Sequence, residues 1–307
     1  GSWTGGSGAA ALELAVLGWL REWMGLPDKA EGILVSGGSV GTLTALAAAA
    51  LDRGGERHRL TGYVSEHTHA AVAKAWRVLG CDPANLRVLP ADAGHRLPPQ
   101  AVEAALRDDR ERGLTPFCVV GTAGTTSTGS IDPLAELAAL CRRERLWFHV
   151  DGAYGAPARL VRPELLAGIE RADSLVLDPH KWLFQPYEIG AVLVSRPGLL
   201  ERAFALDGAY LRDTRSSGVE FRNRGPQLSR GSRALKLWLS LTVFGLDAFK
   251  AAIARGIELA EHAEAVLRAR PGWEVVAPAS LAIVCFRRAG ADDEQTDAMV
   301  RAAVADG

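Results

Sequence analysis

The chain has 307 residues, 48% hydrophobic and 23% charged, the proportions of an ordinary globular protein with an ample core. Lys and Arg number 35 against 36 Asp and Glu, a formal net charge of −1, so no global field recruits nucleic acid or an anionic membrane, and a small-molecule ligand is the default expectation. No apolar stretch is long enough to span a bilayer, and Cys81, Cys118, Cys141 and Cys285 never approach CxxC or metal-ligand spacing, so no metal site and a reduced, cytoplasmic setting are expected.

The start, Gly1-Ser2-Trp3, has neither a basic n-region nor an initiating methionine. The expectation is a piece of a longer protein, with Gly1-Ser2 as a tag scar and Thr4-Gly5-Gly6-Ser7-Gly8 as a linker. Residues 10–24 carry Leu12, Leu14, Leu17, Leu20 and Trp23 at helical spacing, closed by Gly25 and Pro27. Short apolar runs follow at 32–35, 62–65, 86–89, 116–120, 146–150, 174–177 and 189–194, with helix candidates at 40–52, 70–79, 99–112 and 133–143 between them. That alternation predicts an α/β fold with a mostly parallel sheet, and the near-continuous apolar runs predict burial on both faces. Residues 233–268 read as mainly helical, followed by strands at 273–276 and 281–286 and a helix at 293–304. The expected division is an N-terminal segment and helix at 1–24, a large domain at 25–245, and the start of a smaller C-terminal domain at 246–307, truncated because Val304-Ala305-Asp306-Gly307 ends without a terminating element. No internal repeat is visible.

In such sheets the loops leaving the carboxyl ends of strands form the ligand crevice. Ser36-Gly37-Gly38-Ser39-Val40-Gly41-Thr42 follows a strand and opens a helix, so its backbone N–H groups suit a phosphate, although it matches neither the dinucleotide fingerprint nor a Walker A loop. A tight turn with a serine cap is the plain alternative. His69 opens a helix after the next strand, where an imidazole stacks on a flat ring or simply caps the helix. The loop Gly121-Thr122-Ala123-Gly124-Thr125-Thr126-Ser127-Thr128-Gly129 brings hydroxyls and bare backbone to the same edge. Leu146-Trp147-Phe148-His149-Val150-Asp151-Gly152-Ala153-Tyr154 is an apolar strand ending on a carboxylate, which either caps a helix or pairs with a pyridine nitrogen and keeps it protonated. Finally Asp178-Pro179-His180-Lys181-Trp182 places a lysine at the mouth of the sheet. Burial without a partner pushes an amine toward its neutral, nucleophilic form, which makes Lys181 a candidate Schiff-base lysine for pyridoxal phosphate; a loop lysine ending a strand is the alternative.

Taken together and in order, Ser36-Gly37-Gly38-Ser39, His69, Gly124-Thr125-Thr126, His149-Val150-Asp151-Gly152-Ala153-Tyr154, Asp178-Pro179-His180-Lys181-Trp182, and Ser229-Arg230 with Arg233-Ala234-Leu235-Lys236-Leu237-Trp238 resemble the group II pyridoxal-phosphate decarboxylases, above all the aromatic-L-amino-acid decarboxylases acting on tyrosine, tryptophan or dihydroxyphenylalanine. The resemblance runs from Trp3 and the Glu13 helix to about Leu267, which also counts against reading the glycine-rich start only as a linker. It implies a fold-type I pyridoxal-phosphate enzyme, a carboxy-lyase that converts an L-amino acid to its amine and carbon dioxide as a homodimer. It further implies that Lys181 holds the cofactor, that His180 contacts cofactor or substrate, that Asp151 pairs with the pyridine nitrogen and that Ala153 packs against the ring. Gly38 and Ser39 would hold the phosphate, Thr126 would lend a hydroxyl, and His69 would stack on the ring face. The stretch Phe204-Ala205-Leu206-Asp207-Gly208-Ala209-Tyr210-Leu211-Arg212 resembles the start of the family's mobile catalytic loop, with Tyr210 on the tyrosine that protonates the substrate carbon. Related aldehyde synthases carry phenylalanine there, so the hydroxyl favours amine over aldehyde. Two positions depart from the pattern: Gly152 replaces the more usual alanine, and Asp178 stands where animal members often have asparagine. The family's N-terminal segment, which shapes substrate binding and the dimer, should precede Trp3. The rival readings are oxidative deamination to an aldehyde and a non-catalytic relative that binds a partner protein.

Overall fold

The computed structural model describes residues 3–206 and 218–305. In chain order the elements are α1 (Trp3–Trp23), β1 (Glu31–Val35), α2 (Gly38–Arg53), β2 (Leu60–Ser65), α3 (Ala71–Val78), β3 (Leu86–Leu89), α4 (Pro99–Glu111), β4 (Thr115–Thr122), α5 (Leu134–Glu144), β5 (Trp147–Asp151), β6 (Ser174–Leu177), α6 (Pro179–Trp182), β7 (Gly190–Val194), α7 (Leu199–Phe204), α8 (Ala234–Phe244), α9 (Leu246–Ala269), β8 (Trp273–Ser280), β9 (Ile283–Arg288) and α10 (Asp293–Ala305). The seven apolar runs of the first two hundred residues form one sheet in the order β1-β7-β6-β5-β4-β2-β3. Strands β3, β2, β4, β5 and β6 run parallel, whereas β7 is antiparallel to both neighbours. Its direction follows from the connection: between β6 and β7 the chain makes one turn of helix, α6, and has no helix with which to run back along the sheet.

Both faces are covered, as the unbroken apolar runs require. On one face Gly41 of α2 approaches Val176 and Val192, and its missing side chain lets the helix come close, since a Cβ there would lie 2.9 Å from Val176. On the other, Phe148 packs with Leu134 and Leu137 of α5 around Gly121. Side chains alternate along a strand, so Asp151, in register with Val176, shares the α2 face, and so do His149 and Ser174 two residues earlier.

The glycine-rich start is not a linker. It forms the first turns of α1, with an extended residue, Gly6, at the break (φ −170°), and half-buried Trp3 packs on the core while its backbone N–H donates to Glu220 Oε1 at 3.2 Å. Helix α1 is tied down by a buried bidentate ion pair. Arg230 donates from Nη2 to Glu13 Oε1 at 2.7 Å and from Nη1 to Oε2 at 3.1 Å, while Glu13 Oε1 also accepts the Leu34 N–H of β1 at 2.8 Å. Arg230 donates to the Leu34 carbonyl as well, so one charge pair joins α1, β1 and the segment before α8.

After Gly245 the chain bends by 94° between α8 and α9. Strands β8 and β9 pair antiparallel and reach back to the main sheet: Ser280 Oγ donates to the Gly129 carbonyl at 2.7 Å, and buried Leu281 fills the space beside Gly124 and Gly155. Among the described residues no single helix is long and apolar enough to cross a membrane.

Candidate active site

At the carboxyl ends of the parallel strands lies a cavity of about 360 Å³. It is lined by Gly38, Ser39, His69, Thr126, Asp151, Ala153, His180 and Lys181, so every described residue given a cofactor or catalytic role from the sequence meets the others in one place. Tyr210 lies outside the described residues.

The turn after β1 enters α2 at Gly38 without any side-chain cap, so the serine-cap alternative is not what this segment does. Gly41 closes the first turn by donating to the Gly37 carbonyl at 2.9 Å, which leaves the preceding amides of Gly38, Ser39 and Val40, all cavity-lining, for an anion. Close backbone approach explains the glycines. A Cβ on Gly190 of β7 would lie 2.6 Å from Gly37 Cα, and one on Gly38 would lie 3.2 Å from the Ala153 methyl and 3.1 Å from Asp178 Oδ2.

Asp151 ends β5, is 6% exposed, and accepts the Ala153 N–H on Oδ1 at 3.1 Å. No helix starts on it; the short 3-10 helix that follows, Ala156–Leu160, is capped by Gly155. His69 Nδ1 accepts the Ala71 N–H at 3.2 Å at the start of α3, and the residue also lines the cavity. Thr126 sits on a loop held by a chain of hydroxyl contacts, Thr125 to Thr128 at 2.7 Å and Thr128 to Ser130 at 2.8 Å.

Lys181 is not buried without a partner. Its Nζ lies 3.3 Å from Asp178 Oδ2, and the side chain is 38% exposed into the cavity. His180 presents Nε2 to the same oxygen at 3.5 Å while Nδ1 accepts the Ile189 N–H at 3.1 Å. Burial pushes the His180 imidazole below its ordinary pKa, and the Asp178 charge offsets part of that. Asp178 is therefore the hub the sequence reading passed over, noted there only as a departure from a pattern. Its signal was available: a residue three before a lysine and directly before a proline that opens a helical turn faces that lysine. Tyr187, whose ring centroid is 4.5 Å from that of His180, and Glu188 also line the cavity. The 186–188 segment is held by α8, where Lys236 Nζ donates to the Pro186 and Glu188 carbonyls and Arg233 pairs with Glu188 at 2.5 Å. This gives the Arg233 to Lys236 motif a supporting place at the rim.

An accessible amine, a buried carboxylate, an uncapped helix N-terminus and an imidazole around one crevice form the donor set of a pyridoxal-phosphate enzyme. The chain belongs to the pyridoxal-dependent decarboxylase family, whose conserved domain matches residues 3–289. It is 44% identical over 302 residues to an aromatic-L-amino-acid decarboxylase of Bacillus atrophaeus, covering 96% of this chain and 63% of the relative. It is 35% identical to tryptophan decarboxylase 2 of Oryza sativa subsp. japonica, covering 93% and 61%. Among solved structures, the Oryza sativa TDC with PLP and tryptamine superimposes with a TM-score of 0.91 at 31% identity, over 98% of this chain and 67% of that one. Rhodiola rosea 4-hydroxyphenylacetaldehyde synthase superimposes with a TM-score of 0.90 at 29% identity, over the same shares. The fold is thus that of the fold-type I decarboxylases, and the chain spans about 63% of the length of the first of these relatives.

Proposed function

We propose that the whole protein decarboxylates an aromatic L-amino acid to its amine and carbon dioxide with pyridoxal 5′-phosphate, as a cytoplasmic homodimer. The observation that carries this reading is the meeting of Lys181, Asp151 and the open N-terminus of α2 in one cavity. When bound, pyridoxal phosphate supplies an aldehyde that exchanges amines and a ring that accepts the electrons left by carbon dioxide. Lys181 holds that aldehyde and releases it when a substrate amine arrives. Asp151 keeps a proton on the ring nitrogen, and the amides of Gly38 and Ser39 hold the phosphate. His69 would stack on the ring and Ala153 would pack against it, Thr126 would lend a hydroxyl, and His180 would contact cofactor or substrate. Tyr210 delivers the proton to Cα once carbon dioxide has left.

The aromatic assignment is supported by the names of the relatives, which include decarboxylases of tryptophan and tyrosine. The aldehyde-forming reading is supported by two synthases among them, and Tyr210 argues for the amine. Incubating the full-length protein and cofactor with a panel of L-amino acids tests both. Aromatic amines without peroxide are expected; no carbon dioxide from any substrate would overturn the decarboxylase assignment. Tyr210→Phe is expected to move product toward aldehyde, and an unchanged ratio would remove Tyr210 from this role.

A further inference from the structure

His149 lies two residues before Asp151 on β5, on the same α2-facing side, and is wholly buried. Its Nδ1 is 2.8 Å from Ser174 Oγ, which also accepts the Trp147 indole N–H at 2.8 Å. Ser174 Oγ accepts the indole N–H, and His149 Nδ1 is the acceptor within reach of the buried serine hydrogen; the arrangement that pairs that hydrogen places the imidazole proton on Nε2. That Nε2 is buried and makes no hydrogen bond to any described side chain or backbone group. Two hydroxyls are in the same condition: Thr122, level with Asp151 on the adjacent strand, and Thr42 on the covering helix α2. Buried donors in native proteins find acceptors, and Asp151 is the charged group that acts on His149.

We propose that His149 is a positioning residue for Asp151, its Nε2–H steadying the carboxylate from within the layer between β5 and α2 through a water shared with the Thr122 hydroxyl. The inference rests on the reading that Asp151 faces the ring nitrogen. A donor to a carboxylate favours its ionised form, and an ionised Asp151 is what keeps the ring nitrogen protonated. Ser174 and Trp147 take part by fixing the tautomer, the way an outer hydrogen bond sets which imidazole nitrogen is free to act. Burial holds the imidazole neutral, with a pKa of about 4, so His149 supplies a hydrogen bond and no competing positive charge.

The test is the ¹⁵N chemical shift of cofactor labelled at the ring nitrogen, bound to the full-length protein, together with cofactor affinity. His149→Phe, which removes both nitrogens, is expected to move the shift toward that of an unprotonated pyridine and to weaken affinity about tenfold, the equivalent of one pKa unit. His149→Gln, which returns a donor near the Nε2 position, is expected to restore both. If His149→Phe does not fold, Ser174→Ala carries the test, with a smaller displacement in the same direction. A wild-type shift and affinity in the folded His149→Phe, or an unmoved shift in Ser174→Ala, would overturn the proposal provided Asp151→Asn changes the shift. An unmoved shift in Asp151→Asn itself would overturn the reading of Asp151 and this inference together.

Discussion

Asp178 reaches Lys181 across one helical turn, its Oδ2 3.3 Å from the lysine Nζ, while Oδ1 is buried with no hydrogen-bond partner among the described residues. One carboxylate oxygen thus serves both Lys181 and His180, and its side chain is only 3% exposed. What Lys181 needs from this position is an acceptor. Asp178→Asn keeps one and is expected to leave kcat within about threefold, whereas Asp178→Ala removes it and is expected to lower kcat about tenfold, the worth of one hydrogen bond to a charged group. Steady-state kinetics on the two variants check this, and equal rates for Ala and wild type would contradict it.

The Glu13 and Arg230 pair is buried at both ends, at 6% and 3% side-chain exposure. Arg230→Ala leaves the Glu13 carboxylate without its partner inside the fold, and a loss of about 3–5 kcal/mol is expected. Replacing both with apolar residues, Glu13→Leu with Arg230→Met, is expected to recover most of that loss, because the uncompensated charge goes with its partner. Urea unfolding of the single and double variants measures the difference; a double variant as unstable as Arg230→Ala would show that packing and not charge sets the cost.

Burial lowers the His149 pKa from 6.5 to about 4. The folded state therefore binds fewer protons than the unfolded chain between those values, so this residue's contribution is fully present above pH 6.5 and is lost as pH falls toward 4. Integrated over the shift, that is about 3 kcal/mol. Stability measured at pH 7 and pH 4.5 is expected to fall more steeply in the wild type than in His149→Gln. Equal slopes would mean that His149 does not carry this term.

Local pattern made most of the sheet legible. The runs at 86–89 and 174–177 are strands β3 and β6 at those limits, because an apolar run bounded by turn residues has few other places to go. Strand β4 runs on to Thr122, two residues past its expected end, because it stays paired with β5 through Thr122 and Asp151, and the Thr122 N–H is met by Asp132 Oδ2 at 2.7 Å, a contact across a loop that no periodicity encodes. The glycines of α1 read locally as a linker, yet tertiary packing of Trp3 and Glu13 overrides their poor helix propensity. The cavity residues were legible as an ordered set of motifs. The relations among them were not: Arg230 meets Glu13 across 217 positions of sequence, and Leu281 fits beside Gly124 from a strand pair at the far end of the chain.

Lys181 is the proposed anchor of the cofactor, and chemical trapping tests it directly. Wild-type protein loaded with pyridoxal phosphate, reduced with borohydride and digested, is expected to carry the phosphopyridoxyl label on the peptide containing Lys181, and Lys181→Ala is expected to carry none. A label on another lysine, or an unlabelled wild type, would contradict the account.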